Sequence, residues 1–233
     1  AAENNVAETA FIVPAGEGIW ELRWFTPAVE VPLCGHATLA SAHTLYEQLG
    51  FDGAEIAFDT RQSGRLTVKR LEDGRLEMDF PASPLRQIQV ADDVVAALGA
   101  RPKEAWAGTL FAAVFETPEE IRALDPDVKA LAKLGTEVEW ERGNFGCVGP
   151  GGPDGADVVS RFFAPGSGID EDPATGAWHC MLAPLMSEKL GKTKLTCWQD
   201  YPGRGAWVET ELHGDRVKLR GRAVTVIEGQ FKL

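Results

Sequence analysis

The chain has 233 residues, of which 44% are hydrophobic, so it can form one large domain or two small halves, each with its own core. Its formal net charge of −12 at pH 7 repels polyanions, and no cluster of Lys and Arg interleaved with aromatic residues offsets this charge, which excludes nucleic acid as a partner. No apolar run approaches the roughly 20 residues of a membrane-spanning helix and the N-terminus carries no secretory pattern, so we expect a cytoplasmic protein without a membrane partner.

The N-terminal part of the chain predicts a strand, a buried helix and a hairpin, in that order. Apolar residues 10–13 predict a strand that follows the polar segment 4–9. A polar turn at residues 33–38 then opens an apolar helical pattern, and Gly50 suits a left-handed C-terminal cap for that helix. Two alternating runs on either side of residues 73–74 predict the hairpin.

The C-terminal part predicts the same series, preceded by two further elements. Residues 110–115 are strand-like and residues 118–134 are helix-like. The polar turn 171–176 opens a second apolar helix that closes at Gly191, and a second hairpin is predicted around residues 214–215.

An internal repeat relates the two parts. The run R-W-F-T-P at residues 23–27 recurs as R-F-F-A-P at residues 161–165, and each run precedes one of the apolar helices. We therefore predict two halves, residues 1–85 and 86–233. The first half has no counterpart to the strand and helix at 110–134, so we expect a missing N-terminal strand and helix, an exposed sheet edge and, in consequence, a homodimer.

Three polar clusters offer candidate functional residues, and each also has a purely structural explanation. Glu8 beside a strand is usually a solvated surface residue, and His36 can simply cap a helix. Asp172 is a good N-cap with Pro173 at the first helical position. The pairing of the clusters favours function, because two related helix N-termini facing one cleft would bind a carboxylate through unpaired N–H groups and helix dipoles.

Four motifs occur in order over essentially the whole chain: N-N-V-A-E-T-A-F at 4–11, L-C-G-H-A-T at 33–38, E-D-P-A-T-G at 171–176 and G-R-A-V-T-V at 221–226. Together they resemble the PhzF-like isomerases of phenazine biosynthesis, which are relatives of diaminopimelate epimerase. The resemblance implies an α+β fold of two pseudo-symmetric halves, each with a mostly antiparallel sheet wrapped around a central helix. It also implies a cofactor-independent isomerase or epimerase acting on a small carboxylate-bearing substrate.

The same resemblance assigns roles to residues. Glu8 takes the role of the catalytic acid/base, while His36 and Asp172 help to position the substrate and the proton. The substrate carboxylate is expected at a set of residues in the two helix starts, namely Gly35, Ala37, Thr175 and Gly176. No metal is implied. Two departures from the family pattern, Ala7 where a Ser is common and Ala177-Trp178 where Ser-Ala is common, leave the substrate open.

Three alternatives remain. Cys34 can be considered as the acid/base, since related epimerases use two cysteines, but the matching position in the second half is Pro173. A metal site is conceivable from His36, His43, His179 and Cys180, although no carboxylate pattern supports it. The third alternative is a non-catalytic binding or remnant protein of the same fold. The four cysteines form no C-x-x-C pair, so we expect reduced thiols.

Overall fold

The computed structural model describes residues 1–135 and 140–230. Within these residues the chain forms fourteen strands and five α-helices, and it divides into two compact units. The first unit contains residues 1–79 together with the described residues from Arg220 onward, and the second contains residues 80–219. Both boundaries fall inside a strand, and each such strand is assigned to the unit that holds most of its residues. Compact units and the halves of a duplication are different divisions of a chain, so the predicted halves 1–85 and 86–233 stay a prediction.

The first unit is a sheet packed against one helix. Its elements are β1 Thr9–Gly16, β2 Ile19–Phe25, β3 Glu30–Val31, α1 Gly35–Glu47, β4 Glu55–Thr60, β5 Arg65–Arg70 and β6 Leu76–Pro81. Strand β2 pairs antiparallel with β1 and β3 but parallel with β4, and β4, β5 and β6 continue antiparallel. Because parallel neighbours need a crossover, α1 makes the connection between β2 and β4.

The second unit contains more strands and the remaining helices. Its elements are β7 Arg86–Ile88, α2 Asp92–Leu98, β8 Glu104–Ala107, β9 Phe111–Val114, α3 Pro118–Arg122, α4 Val128–Leu131, β10 Phe145–Pro150, β11 Val158–Phe163, α5 Gly176–Leu190, β12 Lys194–Tyr201, β13 Arg204–His213 and β14 Arg216–Gly221. These strands lie in sequential order in the sheet, with parallel pairing only between β9 and β10 and between β11 and β12 among the described pairs.

The backbone contains the repeat that the sequence predicts. In the first unit β2, α1 and the parallel strand β4 are followed by a hairpin around Gly74, and in the second β11, α5 and the parallel strand β12 are followed by a hairpin around Gly214. Both hairpin glycines have positive φ, of 79° and 60°. The predicted α+β fold with mostly antiparallel pairing is therefore confirmed.

The second unit has an apolar cluster on each face of its sheet. Along β9, Phe111 and Ala113 belong to one cluster, whereas Ala112 and Val114 belong to the other. This alternation follows from the two-residue period of a strand. Helices α2, α3 and α4 cover the first cluster, and the fully buried Trp178 of α5 lies in the second.

One predicted element is different in the structure. Residues 118–134 form two short helices, α3 and α4, instead of one long helix. Thr117 and Glu120 make a capping box that starts α3, and Asp127 caps α4 through the N–H groups of Lys129 and Ala130. The prediction is wrong because Pro126 cannot continue a helix and Asp127 offers a new N-cap immediately after it.

Strand β1 lies at the edge of the sheet and carries exposed apolar side chains. Phe11 is 47% exposed and Val13 is 54% exposed. A homodimer would cover such an edge, and it stays a prediction because a single chain does not test it. No helix among the described residues has both the length and the apolar character needed to cross a bilayer.

The packing of Gly146 against Trp178 gives the first prediction. A Cβ atom at Gly146 would lie 2.4 Å from Cε3 and Cζ3 of the Trp178 ring, and Trp178 is 0% exposed and packed in the apolar core. We expect Gly146→Ala to lower the free energy of unfolding by about 1–3 kcal/mol, because overpacking forces core side chains out of position. Urea denaturation measures this change.

Gly16→Ala is the matched control, because Gly16 belongs to a strand, as Gly146 does. A Cβ atom at Gly16 would lie 3.8 Å from Ile19, which is an ordinary contact distance. We expect its unfolding free energy to stay within about 0.5 kcal/mol of the wild type. Equal stability of the two variants would show that the contact between strand β10 and Trp178 is looser than described.

Candidate active site

An arginine–glutamate clamp precedes each buried helix of the repeat. Nε and Nη2 of Arg23 donate to the Glu30 carboxylate, both at 2.8 Å, and Nε and Nη2 of Arg161 donate to Glu171 at 2.7 and 2.9 Å. Each guanidinium also lies over the phenylalanine two residues further along its strand, at 4.8 and 4.7 Å from the ring centroid. The repeated run R-aromatic-F therefore supplies a charged group and an aromatic platform at corresponding places.

The two clamps differ in solvent exposure. Arg23 and Glu30 are partly exposed, and their hydrogen bonds raise the pKa of Arg23 and lower that of Glu30. The side chains of Arg161 and Glu171 are only 13% and 10% exposed. Burial alone would lower the pKa of Arg161, but hydrogen bonding to Glu171 and the nearby negative charges, chiefly that of Glu171 itself, together outweigh burial, so the pKa lies above its ordinary value.

Helix α1 starts where the sequence predicts. Its N-cap is Cys34, which makes no side-chain capping hydrogen bond, and no acidic residue lies in the first turn. Gly35, His36 and Ala37 form that turn, so their backbone N–H groups point towards the N-terminal end of the helix axis. An N-terminus without a side-chain cap is suited to bind an anion, because its N–H groups and dipole both favour negative charge.

Glu8 lies beside this helix start and contacts His36. Oε2 of Glu8 is 3.2 Å from Nε2 of His36, close enough for an ion pair although the geometry is not that of a hydrogen bond. This oxygen is buried from solvent and makes no hydrogen bond with any residue in 1–135 or 140–230. Sγ of Cys34 lies 3.7 Å from both ring nitrogens of His36. The structure thus brings together Glu8, His36 and the start of α1.

Helix α5 starts three residues later than its predicted cap. Its N-cap is Thr175, and Gly176 is the first helical residue, so the prediction of Asp172 as N-cap is wrong. Asp172 instead accepts a 2.5 Å hydrogen bond from the Thr175 hydroxyl and lies in the turn that leads into the helix. Because Cys34 is the N-cap of α1 and Thr175 is the N-cap of α5, the residue that corresponds to Cys34 in the repeat is Thr175 and not Pro173.

Gln199 holds the Asp172–Thr175 turn from strand β12. It is fully buried, its Oε1 accepts from the N–H of Thr175 at 2.9 Å, and its Nε2 donates to the carbonyl of Asp172 at 2.6 Å and to Oγ1 of Thr175 at 3.1 Å. Sequence reasoning missed this residue. A polar side chain within an otherwise apolar strand pattern is the only signal that marks it, and that signal names no partner.

The metal ligands considered from the sequence do not come together in one cluster. Nε2 of His43 lies 3.0 Å from the Thr225 hydroxyl, and His179 is fully buried with Nδ1 2.8 Å from the carbonyl of Thr175. Burial lowers the pKa of His179 to about 4. Cys180 is a buried free thiol whose pKa burial raises to about 12. Among the described residues, the group with metal-ligand spacing is Glu8, Cys34 and His36.

The predicted site residues fall into two clusters, one in each compact unit. Glu8, Gly35, His36 and Ala37 belong to the first unit, and Asp172, Thr175 and Gly176 belong to the second. Their meeting at one cleft stays a prediction.

Comparison with known proteins identifies relatives along the full chain. A family model described as phenazine biosynthesis-like protein matches residues 1–229. An uncharacterized isomerase of Pseudomonas aeruginosa is 43% identical over 234 residues, covering all of this chain and 85% of that protein.

Solved structures share the architecture. A PhzF family phenazine biosynthesis protein from Enterococcus faecalis is 35% identical with a TM-score of 0.91, covering 100% of this chain and 85% of the other. A hydroxyproline epimerase from Agrobacterium vitis is only 14% identical with a TM-score of 0.58, covering 92% of this chain and 71% of the other, and it shows the fold alone.

The hydrogen bonds of Gln199 give the second prediction. Gln199→Leu keeps the shape of the side chain but leaves the N–H of Thr175 and the carbonyl of Asp172 without their partner. We expect each unsatisfied buried group to cost about 1–3 kcal/mol of unfolding free energy, measured by urea denaturation. Gln87→Leu, at an exposed position of β7, is the control and should change stability by less than about 0.5 kcal/mol. A Gln199→Leu variant as stable as the control would refute the anchoring role.

Proposed function

The chain belongs to the phenazine biosynthesis-like family, and we propose that it is an isomerase or epimerase that moves a proton on a small carboxylate-bearing substrate, with Glu8 as the acid/base. The single observation that carries the proposal is the position of Glu8, whose Oε2 lies 3.2 Å from Nε2 of His36 at the uncapped start of α1. A base, a second ionisable group and an anion-binding helix end thus lie in one place.

The state of the Glu8 carboxylate suits proton transfer. Its Oε2 makes no hydrogen bond with a described residue, so its lone pairs are available for a proton. The side chain as a whole is 21% exposed, so a substrate can reach the carboxylate group although Oε2 itself is covered. A general base must come within hydrogen-bond distance of the proton that it removes, and these two features permit that approach.

The helix starts suit the substrate carboxylate. Cys34 and Thr175 make no side-chain capping bond, and neither first turn contains an acidic residue. The N–H groups of Gly35, Ala37 and Gly176 are then the proposed donors. Removing a proton next to a carboxylate increases negative charge on its oxygens, and fixed N–H donors stabilise that charge most in the transition state. The proposal requires no cofactor.

His36 and Asp172 are proposed as positioning groups. His36 contacts the base itself, so its ring restricts where Oε2 of Glu8 can lie. Asp172 acts through the Thr175 hydroxyl, which fixes the turn before Gly176. Glycine at both helix starts leaves room for a ligand to approach the backbone closely.

The alternative in which thiols act as acid and base is disfavoured. Cys34 occupies the N-cap of α1, and the corresponding N-cap of α5 is Thr175, whose hydroxyl is a much weaker acid than a thiol. The alternative of a non-catalytic protein with this fold remains, and the following experiment decides between it and the proposal.

The third prediction is loss of proton exchange on replacing the base. The wild type, incubated in heavy water with a panel of small α-amino and α-hydroxy carboxylates, should incorporate deuterium next to the carboxylate of at least one of them. Glu8→Gln keeps the shape of the side chain but cannot accept the proton, so we expect the rate to fall by about 10²–10⁴-fold. Mass spectrometry of the recovered acids measures the incorporation.

Glu3→Gln, an exposed carboxylate in the same N-terminal segment, is the control and should exchange at the wild-type rate. His36→Ala and Asp172→Ala should slow exchange less than Glu8→Gln, because they position groups and do not take the proton. Wild-type exchange by Glu8→Gln would make Glu8 a structural residue. No exchange by the wild type with any acid would favour the non-catalytic alternative.

A further inference from the structure

Glu8, Cys34 and His36 present three different metal-ligand atoms to one another. Their carboxylate oxygen, thiol sulfur and imidazole nitrogen all lie within 4.8 Å of one another. We propose that these three side chains bind a zinc ion, and that the bound ion inhibits the enzyme by occupying the base, a consequence that rests on the proposed function. The fourth zinc ligand is then water or a carboxylate from solution.

Two of the three spacings between the ligand atoms are close to those of tetrahedral zinc. With zinc bonds of about 2.3 Å to sulfur and about 2.0 Å to nitrogen or oxygen, neighbouring ligand atoms lie about 3.3–3.6 Å apart. Nε2 of His36 is 3.7 Å from Sγ of Cys34 and 3.2 Å from Oε2 of Glu8. Two edges of the ligand triangle therefore lie within about 0.1 Å of the required range, and the third edge is no longer than 4.8 Å.

The second observation that points to a cation is that Oε2 of Glu8 accepts no hydrogen bond from a described residue. A buried carboxylate oxygen without a hydrogen bond is costly, at about 1–3 kcal/mol or more for a charged group. Oε2 of Glu8 is such an atom within the described parts of the chain, and its contact with Nε2 of His36 compensates for the missing hydrogen bond only when that ring is protonated. A divalent ion on this oxygen would remove the cost, because it replaces the missing donors with a full positive charge.

The three residues are also arranged for entry and for tight binding. Cys34 and His36 occupy the N-cap and the first turn of α1, so the helix fixes two ligands relative to each other. The side chains of His36 and Glu8 are 38% and 21% exposed, which gives the ion access from solvent. Binding deprotonates the Cys34 thiol, whose proton goes to solvent, and the thiolate and carboxylate together balance the charge of the ion.

The ligand set selects zinc over the common hard cations. Magnesium and calcium need several oxygen ligands, whereas this cluster offers one carboxylate beside a sulfur and a nitrogen. Inhibition follows from the same geometry. The zinc ion occupies the lone pair of Oε2, which is the lone pair that the proposed mechanism uses to take the proton.

The fourth prediction tests binding with cobalt and zinc on chelator-treated, reduced protein. Cobalt(II) should give one ion per chain and a thiolate-to-cobalt charge-transfer absorption, and zinc should displace it. Cys34→Ser should lose that absorption, and Cys34→Ser and His36→Ala should each weaken zinc binding at least about tenfold, since even outer-shell partners of metal ligands contribute that much. His43→Ala removes a histidine of the same helix outside the cluster and should bind zinc as the wild type does.

Two readouts separate the site from the function. A Cys34→Ser variant that keeps the charge-transfer absorption, or binds zinc as tightly as the wild type, overturns the site. One bound zinc ion per wild-type chain with unchanged deuterium exchange overturns the inhibition. If metal-free wild type shows no exchange with any acid, the proposed function fails and the inhibition fails with it, while the cobalt absorption still decides whether the site exists.

Discussion

The start of each buried helix depends on the arginine–glutamate clamp in the segment before it. Arg23 with Glu30 and Arg161 with Glu171 close the connection from a central strand into α1 or α5. The backbone follows the same scheme in both units, with Phe25 paired to Glu30 and Phe163 bridged to Glu171. Removing two charges from water costs free energy that offsets much of their attraction. The buried clamp of Arg161 and Glu171 therefore fixes the position of its segment more than it stabilises the fold, whereas loss of one partner costs about 3–5 kcal/mol of stability.

The duplication preserves the backbone at the two helix starts and changes the side chains around them. Both helices begin at glycine without a side-chain cap, so both units offer N–H donors. A carboxylate lies beside each start, but the two differ in their partners. Oε2 of Glu8 contacts His36 and accepts no hydrogen bond from a described residue, whereas Asp172 accepts one from Thr175 in the turn that Gln199 anchors. The N–H donors are therefore common to both units, and the candidate base belongs to one. This asymmetry fits chemistry with a single acid/base.

The sequence predicts the elements that depend on local patterns. The apolar helices, the two glycine hairpins and the strand after Glu8 follow from periodicity and turn residues, and the structure has them. Prediction fails where a local helix breaker is overlooked, as at Pro126, and where a partner outside the local pattern decides. Asp172 resembles an N-cap, but its carboxylate accepts from Thr175, and Gln199 reaches that turn from another strand. Sequence spacing likewise gives no sign that Glu8 and Cys34 are neighbours, because the fold alone brings them together.

The Glu8 oxygen that accepts no hydrogen bond links stability, catalysis and metal binding. A fold selected for stability alone would give this buried oxygen a donor, because hydrogen-bonded carboxylates are the rule inside proteins. A hydrogen-bond donor placed there would also occupy the lone pair with which a base accepts its proton. Leaving it free keeps the carboxylate reactive, and functional sites are where such costs persist. The same free lone pair, beside the imidazole of His36 and the thiol of Cys34, is what a zinc ion recognises, so reactivity and susceptibility to zinc arise from one atom.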